Sequence, residues 1–286
     1  KSKATCPFCT NNIEEKTPKF PKEITPKGRI KVKNCYAIPS LFPHTDFNAI
    51  VVLGANHYLK INQFTQELIT NGLKASLKTI KQAYKAKPNI KYYTIIMNYM
   101  PSGGASQIHP HMQILGSKLP FNNQKQLLIT SYNYYLKNSS NYWKDLIETE
   151  RKTGERYIAK TGRINWIVPF APQRRNEVIG IVENTSNTLQ LTEKDIKNIS
   201  KGIINTLKYY HDKGIKTFNL AIIPAQINKQ TDYYWLNIRI ASRFGTKKEY
   251  LSDLWALPYL LNQDEIFETP ENEAKTLKKY FLKQKN

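Results

Sequence analysis

A chain of 286 residues with 40% hydrophobic and 12% aromatic side chains can bury a sizeable core, as one large domain or two of ordinary size. Three cysteines are too few for a disulfide framework, and no apolar run reaches the ~18 residues of a membrane-spanning helix, so a reducing cytoplasm fits best. The formal charge of +21 is spread along the chain, with short clusters near Lys16 to Lys33 and in the terminal KTLKKYFLKQKN and no interleaving of basic and aromatic residues. It reads as a compositional bias toward Lys, Asn, Ile and Tyr that argues against nucleic acid and favours acidic substrates such as sugar phosphates and nucleotides. The chain opens at Lys1 and not at Met, which implies that residues ahead of it have been removed or left out and leaves an original signal peptide open.

In chain order, Cys6-Pro7-Phe8-Cys9 comes first, a CxxC that supplies half of a metal site. A redox pair is the alternative, but the Lys/Thr-rich surroundings lack the βαβ pattern that such a motif follows. Strand-like CYAIP from Cys35, a loop with Pro43 and His44, and strand-like NAIVVLG to Gly54 follow, with His57 just beyond. A helix is predicted from about Asn62 to Lys85, with Leu68, Ile69, Leu73, Leu77 and Ile80 on one stripe, then strand-like YYTIIMNY to Tyr99 and a strand HPHMQIL from His109. A Glu/Arg-rich helix starting at Trp143 leads into a Pro-Phe-Ala turn.

Residues from Asn165 to Ser242 then repeat the first order: NWIVPFAP, EVIGIVE, a helix from Thr192-Glu193 to about His211, TFNLAIIPA and YYWLNIRIAS. Repetition of a strand-helix-strand unit predicts an α+β protein made of two halves, 1–125 and 126–286, each a mostly antiparallel sheet with a packed helix. The tail from Ser252 to Phe281 reads as a hydrophobic turn, a solvated acidic loop with Asp264, Glu265 and Glu268, and a final helix from near Pro270.

The chemistry concentrates in NYMPSGGASQIHPHMQIL, Asn98 to Leu115. Strand alternation sends His109, His111 and Gln113 to one face, Pro110 marks an edge or irregular strand end, and Gly103, Gly104 and Ser106 let backbone approach a phosphate. Surface histidines on a turn are the bland alternative. The remaining metal ligands must come from Cys35, His44, His57, His109, His111 and His211; a Cys2His2 set of Cys6, Cys9, His57 and His109 leaves His111 free to react. In the second half, Trp235 to Arg239 stand opposite HPHMQ and Asn184 to Thr188 opposite His57, so that copy has lost the chemistry. His211 reads as a helix-end residue, where a cation suits the dipole.

With these residues, the chain resembles the galactose-1-phosphate uridylyltransferase branch of the histidine-triad superfamily over nearly its whole length. The CPFC, the Asn34-containing strand, His57 and the run from Asn98 to Gln113 carry the resemblance. It implies two tandem histidine-triad-like (HIT-like) units and a double displacement in which His111 attacks the α-phosphorus of a nucleotide sugar. A covalent nucleotidyl-histidine would form and pass to a second phosphate. It implies catalytic roles for His111 and Gln113, and nucleotide contacts by Asn34, Asn98, Gly104, Ser106 and Gln113. It further implies one Zn2+ on Cys6, Cys9, His57 and His109, and a homodimer. The activity implied is UDP-glucose–hexose-1-phosphate uridylyltransferase. Met112 replaces a glycine usual in those enzymes, so ADP-glucose or diadenosine tetraphosphate phosphorolysis is the alternative. A zinc-stabilised nucleotide- or nucleic-acid-binding module without catalysis is the alternative of another class. Two further departures stand out. Asn237 and Arg239 replace a His-x-His, so no iron is expected there. Only five residues precede Cys6 where the family supplies arginines, so either the natural chain is longer or other groups bind phosphate.

Overall fold

The computed structural model describes residues 3–243, 256–260, 262 and 264–282. The first half contains α1 (Thr10–Lys16), β1 (Ile30–Val32), β2 (Cys35–Pro39), β3 (Phe47–Val52), α2 (Gln66–Ala86), β4 (Tyr92–Tyr99) and β5 (His111–Ser117). Two helices follow, α3 (Asn122–Asn138) and α4 (Tyr142–Thr153). The second half contains β6 (Tyr157–Thr161), β7 (Ile164–Ile167), β8 (Val178–Val182), α5 (Glu193–Asp212), β9 (Thr217–Ile223) and β10 (Asn237–Arg243). The tail adds α6 (Ala256–Leu260) and α7 (Pro270–Leu282), so only part of the hydrophobic turn expected from Ser252 lies within the described residues. Among these, no helix is long and apolar enough to cross a membrane.

Local chemistry sets the ends of the two long helices. Thr65 caps α2 by accepting from the Leu68 amide, while Thr192 and Asp195 form a reciprocal capping box on α5. The helix expected from Asn62 therefore begins only after a 3-10 turn at Ile61–Gln63. Strand ends move for similar reasons. The segment NWIVPFAP is a strand only over Ile164–Ile167, because Pro169 and Pro172 have no amide to donate. The β10 strand starts at Asn237, since the Leu236 amide is taken by Thr185 O at 2.6 Å. Helix α3 has no counterpart in the sequence expectations. Its fully buried positions are the polar Gln124 and Ser131, and only the partly buried Leu127 and Leu128 pack on the core, so its apolar stripe is too short to mark a helix in the sequence.

The two expected units share one ten-stranded sheet, ordered β1-β2-β3-β5-β4-β9-β10-β8-β7-β6, with every pair antiparallel. The seam is β4 against β9, with Ile95↔Ile222, Ile96↔Ala221 and Asn98↔Asn219 in register. One face of the sheet packs under α2, α5 and α7, around Tyr93, Met112, Trp166 and Leu277. On the other face, α3 and α4 cover the second half through Trp143 and Ile147, while the segment carrying Cys6, Phe8, Cys9 and Ile13 packs on Ile38 and Val52 of the first half. That second face of β5 and β4 carries His111, Gln113 and Asn98, alternating with core residues Met112, Ile114 and Met97.

The acidic stretch of the tail is ion-paired and not simply solvated. Asp264 and Glu265 lie 3.6 and 3.7 Å from the Arg175 guanidinium, and Glu268 pairs with Lys213.

Candidate functional site: a Cys2His2 cluster beside a buried histidine

Strand β3 ends in a turn at Gly54, whose φ of +68° suits a residue without a side chain. The turned backbone offers Gly54 O to His109 Nε2 at 3.1 Å. A carbonyl only accepts, so Nε2 carries the ring proton and Nδ1 keeps a lone pair. That lone pair faces sulfur: Cys6 Sγ and Cys9 Sγ lie 3.9 and 3.7 Å from His109 Nδ1, and Cys9 Sγ lies 3.5 Å from His57 Nδ1. The four donor atoms fall within 4.8 Å of one another, a cluster that could hold a metal ion. A tetrahedral ion with bonds of ~2.3 Å to sulfur and ~2.05 Å to nitrogen sets sulfur and nitrogen about 3.6 Å apart, so the residues present fit such an ion. Burial and the neighbouring Cys6 thiol push the Cys9 thiol above its usual range, a repulsion that a cation between the two sulfurs removes.

The segment bearing these thiols is anchored from behind. Asn12 Nδ2 donates to Cys6 O at 2.8 Å, and α1 starts immediately after Cys9. The buried Arg29 then clamps the end of that helix, donating to Ile13 O, Glu14 O and Thr17 O at 3.1, 2.9 and 2.9 Å while pairing with Glu14 at 2.7 Å.

His111 is the reverse of His109. Its Nδ1 lies 2.8 Å from His109 O, so here Nδ1 holds the proton and Nε2 keeps the lone pair. The ring is 3% exposed, with Phe8 packed edge-on at 5.3 Å between centroids. Burial pushes its pKa down, and burial likewise takes His109 to about 4 against the opposing Gly54 bond, so both rings are neutral near pH 7. Strand β5 begins at His111, so His109 belongs to the loop before it and only His111 and Gln113 alternate within the strand. Continuing the β4–β5 register beyond Ile96↔Gln113 by two residues sets Asn98 opposite His111. Over Asn98 runs the loop: a side chain on Gly104, whose φ is +91°, would begin 4.0 Å from Asn98 Cγ. Ser106 is exposed farther along that loop.

Asn34 enters from the other side of Gly54. It is exposed in the turn between β1 and β2 and lines a cavity of about 380 Å³ with Gly54, Asn56 and Asn71, and a second of about 190 Å³ with Phe8 and Tyr36. Met112 does not face the site, since it is fully buried against α2 with its sulfur 3.5 Å from where a side chain on Gly72 would begin. In the second half, Asn237 donates to Trp235 O at 2.7 Å, and Arg239 pairs with Glu177 at 2.9 Å. Sequence reasoning missed Phe8, Asn219 and Arg243 near the site; the one local signal was Asn219, a polar break in an apolar strand.

No family model matches the chain. An uncharacterized protein of Archaeoglobus fulgidus is 30% identical over 278 residues, 97% of this chain and 82% of that protein. The chain belongs to the family of that archaeal protein. Among solved structures, a uridylyltransferase mutant matches with a TM-score of 0.81 at 19% identity, over 98% of this chain and 92% of that one. It has the uridylyltransferase fold. An ADP-glucose phosphorylase from Arabidopsis thaliana with bound ADP-glucose matches with a TM-score of 0.79 at 17% identity, over 96% and 89% of the two chains. The uridylyltransferase fold is thus present along nearly the whole chain, both halves included, as the resemblance read from the sequence implied.

Proposed function

We propose that this protein is a nucleotidyltransferase that works through a covalent nucleotidyl-His111 intermediate carried by the half 1–125. The observation that supports it above all is the pair of opposed tautomers: backbone carbonyls hold the His109 lone pair toward the thiols and leave His111 with an unprotonated Nε2. That lone pair attacks the α-phosphorus of a nucleoside diphosphate sugar. The Nε2–P bond forms, the bond from that phosphorus to the bridging oxygen breaks, and the sugar 1-phosphate leaves with the electron pair. An oxygen of a second phosphate then attacks the same phosphorus, and the electrons of the N–P bond return to Nε2. Throughout, the bond from Nδ1 to His109 O supports the positive charge on the ring.

Gln113 and Asn98, on the same face, and Ser106 donate to the non-bridging oxygens, where negative charge concentrates in transfer. Gly104 lets the loop backbone approach, and Asn34 binds the nucleoside part at its cavity mouth. Zinc is the ion that two thiolates and two imidazoles suit, held by Cys6, Cys9, His57 and His109, and its role when bound is to fix the His109 backbone against which His111 is aligned. The donor favoured is UDP-glucose with a hexose 1-phosphate as acceptor. The structural likeness to an enzyme that handles ADP-glucose keeps an adenylyl donor with inorganic phosphate as the second reading. Met112 does not separate the two, because its side chain lies in the core.

Intact-protein mass after incubation with UDP-glucose or with ADP-glucose tests the proposal. A nucleoside monophosphate adduct is expected on the wild type and not on His111→Ala, and the donor that yields it names the base. An adduct that persists in His111→Ala, or none from either donor on metal-loaded folded wild type, overturns it. Retained nucleotide affinity without any adduct would instead support the non-catalytic binding module.

A further inference from the structure

The second half reaches into the site through Asn219. Its carboxamide is oriented by two partners whose roles are unambiguous. Nδ2 donates to Gly103 O at 2.8 Å, and Oδ1 accepts from the Arg243 guanidinium at 3.1 Å. The donor end is therefore fixed toward β4, where the same Nδ2 donates to Asn98 Oδ1 at 2.7 Å. Asn98 has no choice of orientation: its oxygen is drawn toward β9, and the planar carboxamide turns its amino group away from that strand. The neighbour on the remaining side of β4 is β5, where the register, continued two residues past its last pair Ile96↔Gln113, brings His111 opposite Asn98. The chain Arg243→Asn219→Asn98 thus leaves Asn98 with its amino group as the free end of its carboxamide, on the strand next to the one that carries His111.

We propose that Asn219 is a positioning residue that fixes the carboxamide of Asn98 so that its amino group, and not its oxygen, meets the phosphoryl group transferred at His111. This rests on the nucleotidyl-transfer reading above. An Asn98 in the opposite orientation would present a lone pair to an anion, so the orientation decides between attraction and repulsion at one atom. The bond to Gly103 O also ties the glycine loop to the same residue, and a side chain on Gly103 would begin 3.2 Å from Phe218 O, so loop and strand are in close contact there. The half without His109 and His111 accordingly contributes to alignment of the other half's site.

The test is Asn219→Asp, alone and combined with Asn98→Ala, against wild type. A carboxylate at this position keeps its size and its Arg243 partner but has no proton to give, so Asn98 must rotate and donate to it. Two readouts separate the claims. The side-chain amide NMR signals of Asn98, identified by their disappearance in Asn98→Ala, are expected to shift in Asn219→Asp. The rate of nucleotidyl labelling is expected to fall about 100-fold, in the range for loss of one oxyanion donor, with no further loss when Asn219→Asp is added to Asn98→Ala. Unshifted amide signals overturn the proposal. So does a labelling defect in Asn219→Asp that is equally large with Asn98 already removed, which a purely structural role would give. If the wild type transfers no nucleotide, the transfer reading falls and with it the catalytic purpose of the orientation, while the NMR arm still decides whether Asn219 sets it.

Discussion

Removal of an ion bound by Cys6, Cys9, His57 and His109 is expected to loosen the end of the sheet that carries His111 more than any comparable surface change. The three sulfur–nitrogen separations, 3.5, 3.7 and 3.9 Å, bracket the ~3.6 Å of a tetrahedral ion, so the cage needs little rearrangement to bind. An ion present at a thousand times its dissociation constant stabilises the fold by about 4 kcal/mol. At ~2 to 4 °C per kcal/mol for a chain of this size, treatment with a chelator lowers Tm by about 8 to 16 °C. Cys9, which approaches both imidazoles and is 5% exposed, is the ligand whose loss costs most, whereas His57 is half-buried on a loop. Metal content per chain by mass spectrometry and thermal melts with and without chelator, on wild type, Cys9→Ala and His57→Ala, provide the assay. The expected order of metal retention is wild type, then His57→Ala, then Cys9→Ala. A chelator effect under 2 °C, or full metal retention by Cys9→Ala, would refute the assignment of these four residues as a ligand set.

Two other outcomes are expected. Asp195 is buried, and though burial alone would raise its pKa, Arg163 and Thr192 draw it down to about 2. A carboxyl depressed in the folded state stabilises fully above its unfolded value near 3.8 and loses that contribution as pH falls through about 2. Asp195→Asn should therefore cost about 2 kcal/mol in urea unfolding at pH 7 and progressively less toward pH 2, and an unchanged penalty at both ends would contradict the ion-pair account. Gly202→Ala would place its Cβ 2.0 Å from Trp166 Cζ2, against ordinary contacts of 3.4 Å or more, and the indole is held by its bond to Thr161 at 2.8 Å. Since neither helix nor ring can yield cheaply, about 3 kcal/mol of destabilisation is expected by calorimetry; a loss below 1 kcal/mol would show that the ring moves.

Much of the scaffold was legible because its signals are local. The apolar stripe from Leu68 to Ile80, the helix start at Thr192-Glu193 and the strand-like run YYTIIMNY each depend on residues a few positions apart, and the structure places α2, α5 and β4 accordingly. Cys6, Cys9, His57 and His109 could be proposed together because few residue types bind a soft cation and the chain has few of them. Helix α3 was not legible, since its buried side chains are polar, and neither were the ion pairs of Asp264 and Glu265 with Arg175, which depend on how the tail folds back.

By itself, then, the sequence determined most of the repeated elements and the residue types that can carry metal and phosphate chemistry, because periodicity and composition are properties of neighbours in the chain. Only the tertiary structure decided that the halves share one sheet through β4 and β9, that Gly54 O and His109 O set opposite tautomers on two nearby histidines, and that Asn219 lies against Asn98 across a separation of 121 residues. Such contacts are fixed by which strand edges pair and where a backbone carbonyl turns, and these are settled by burial of the whole apolar face rather than by any short stretch of chain.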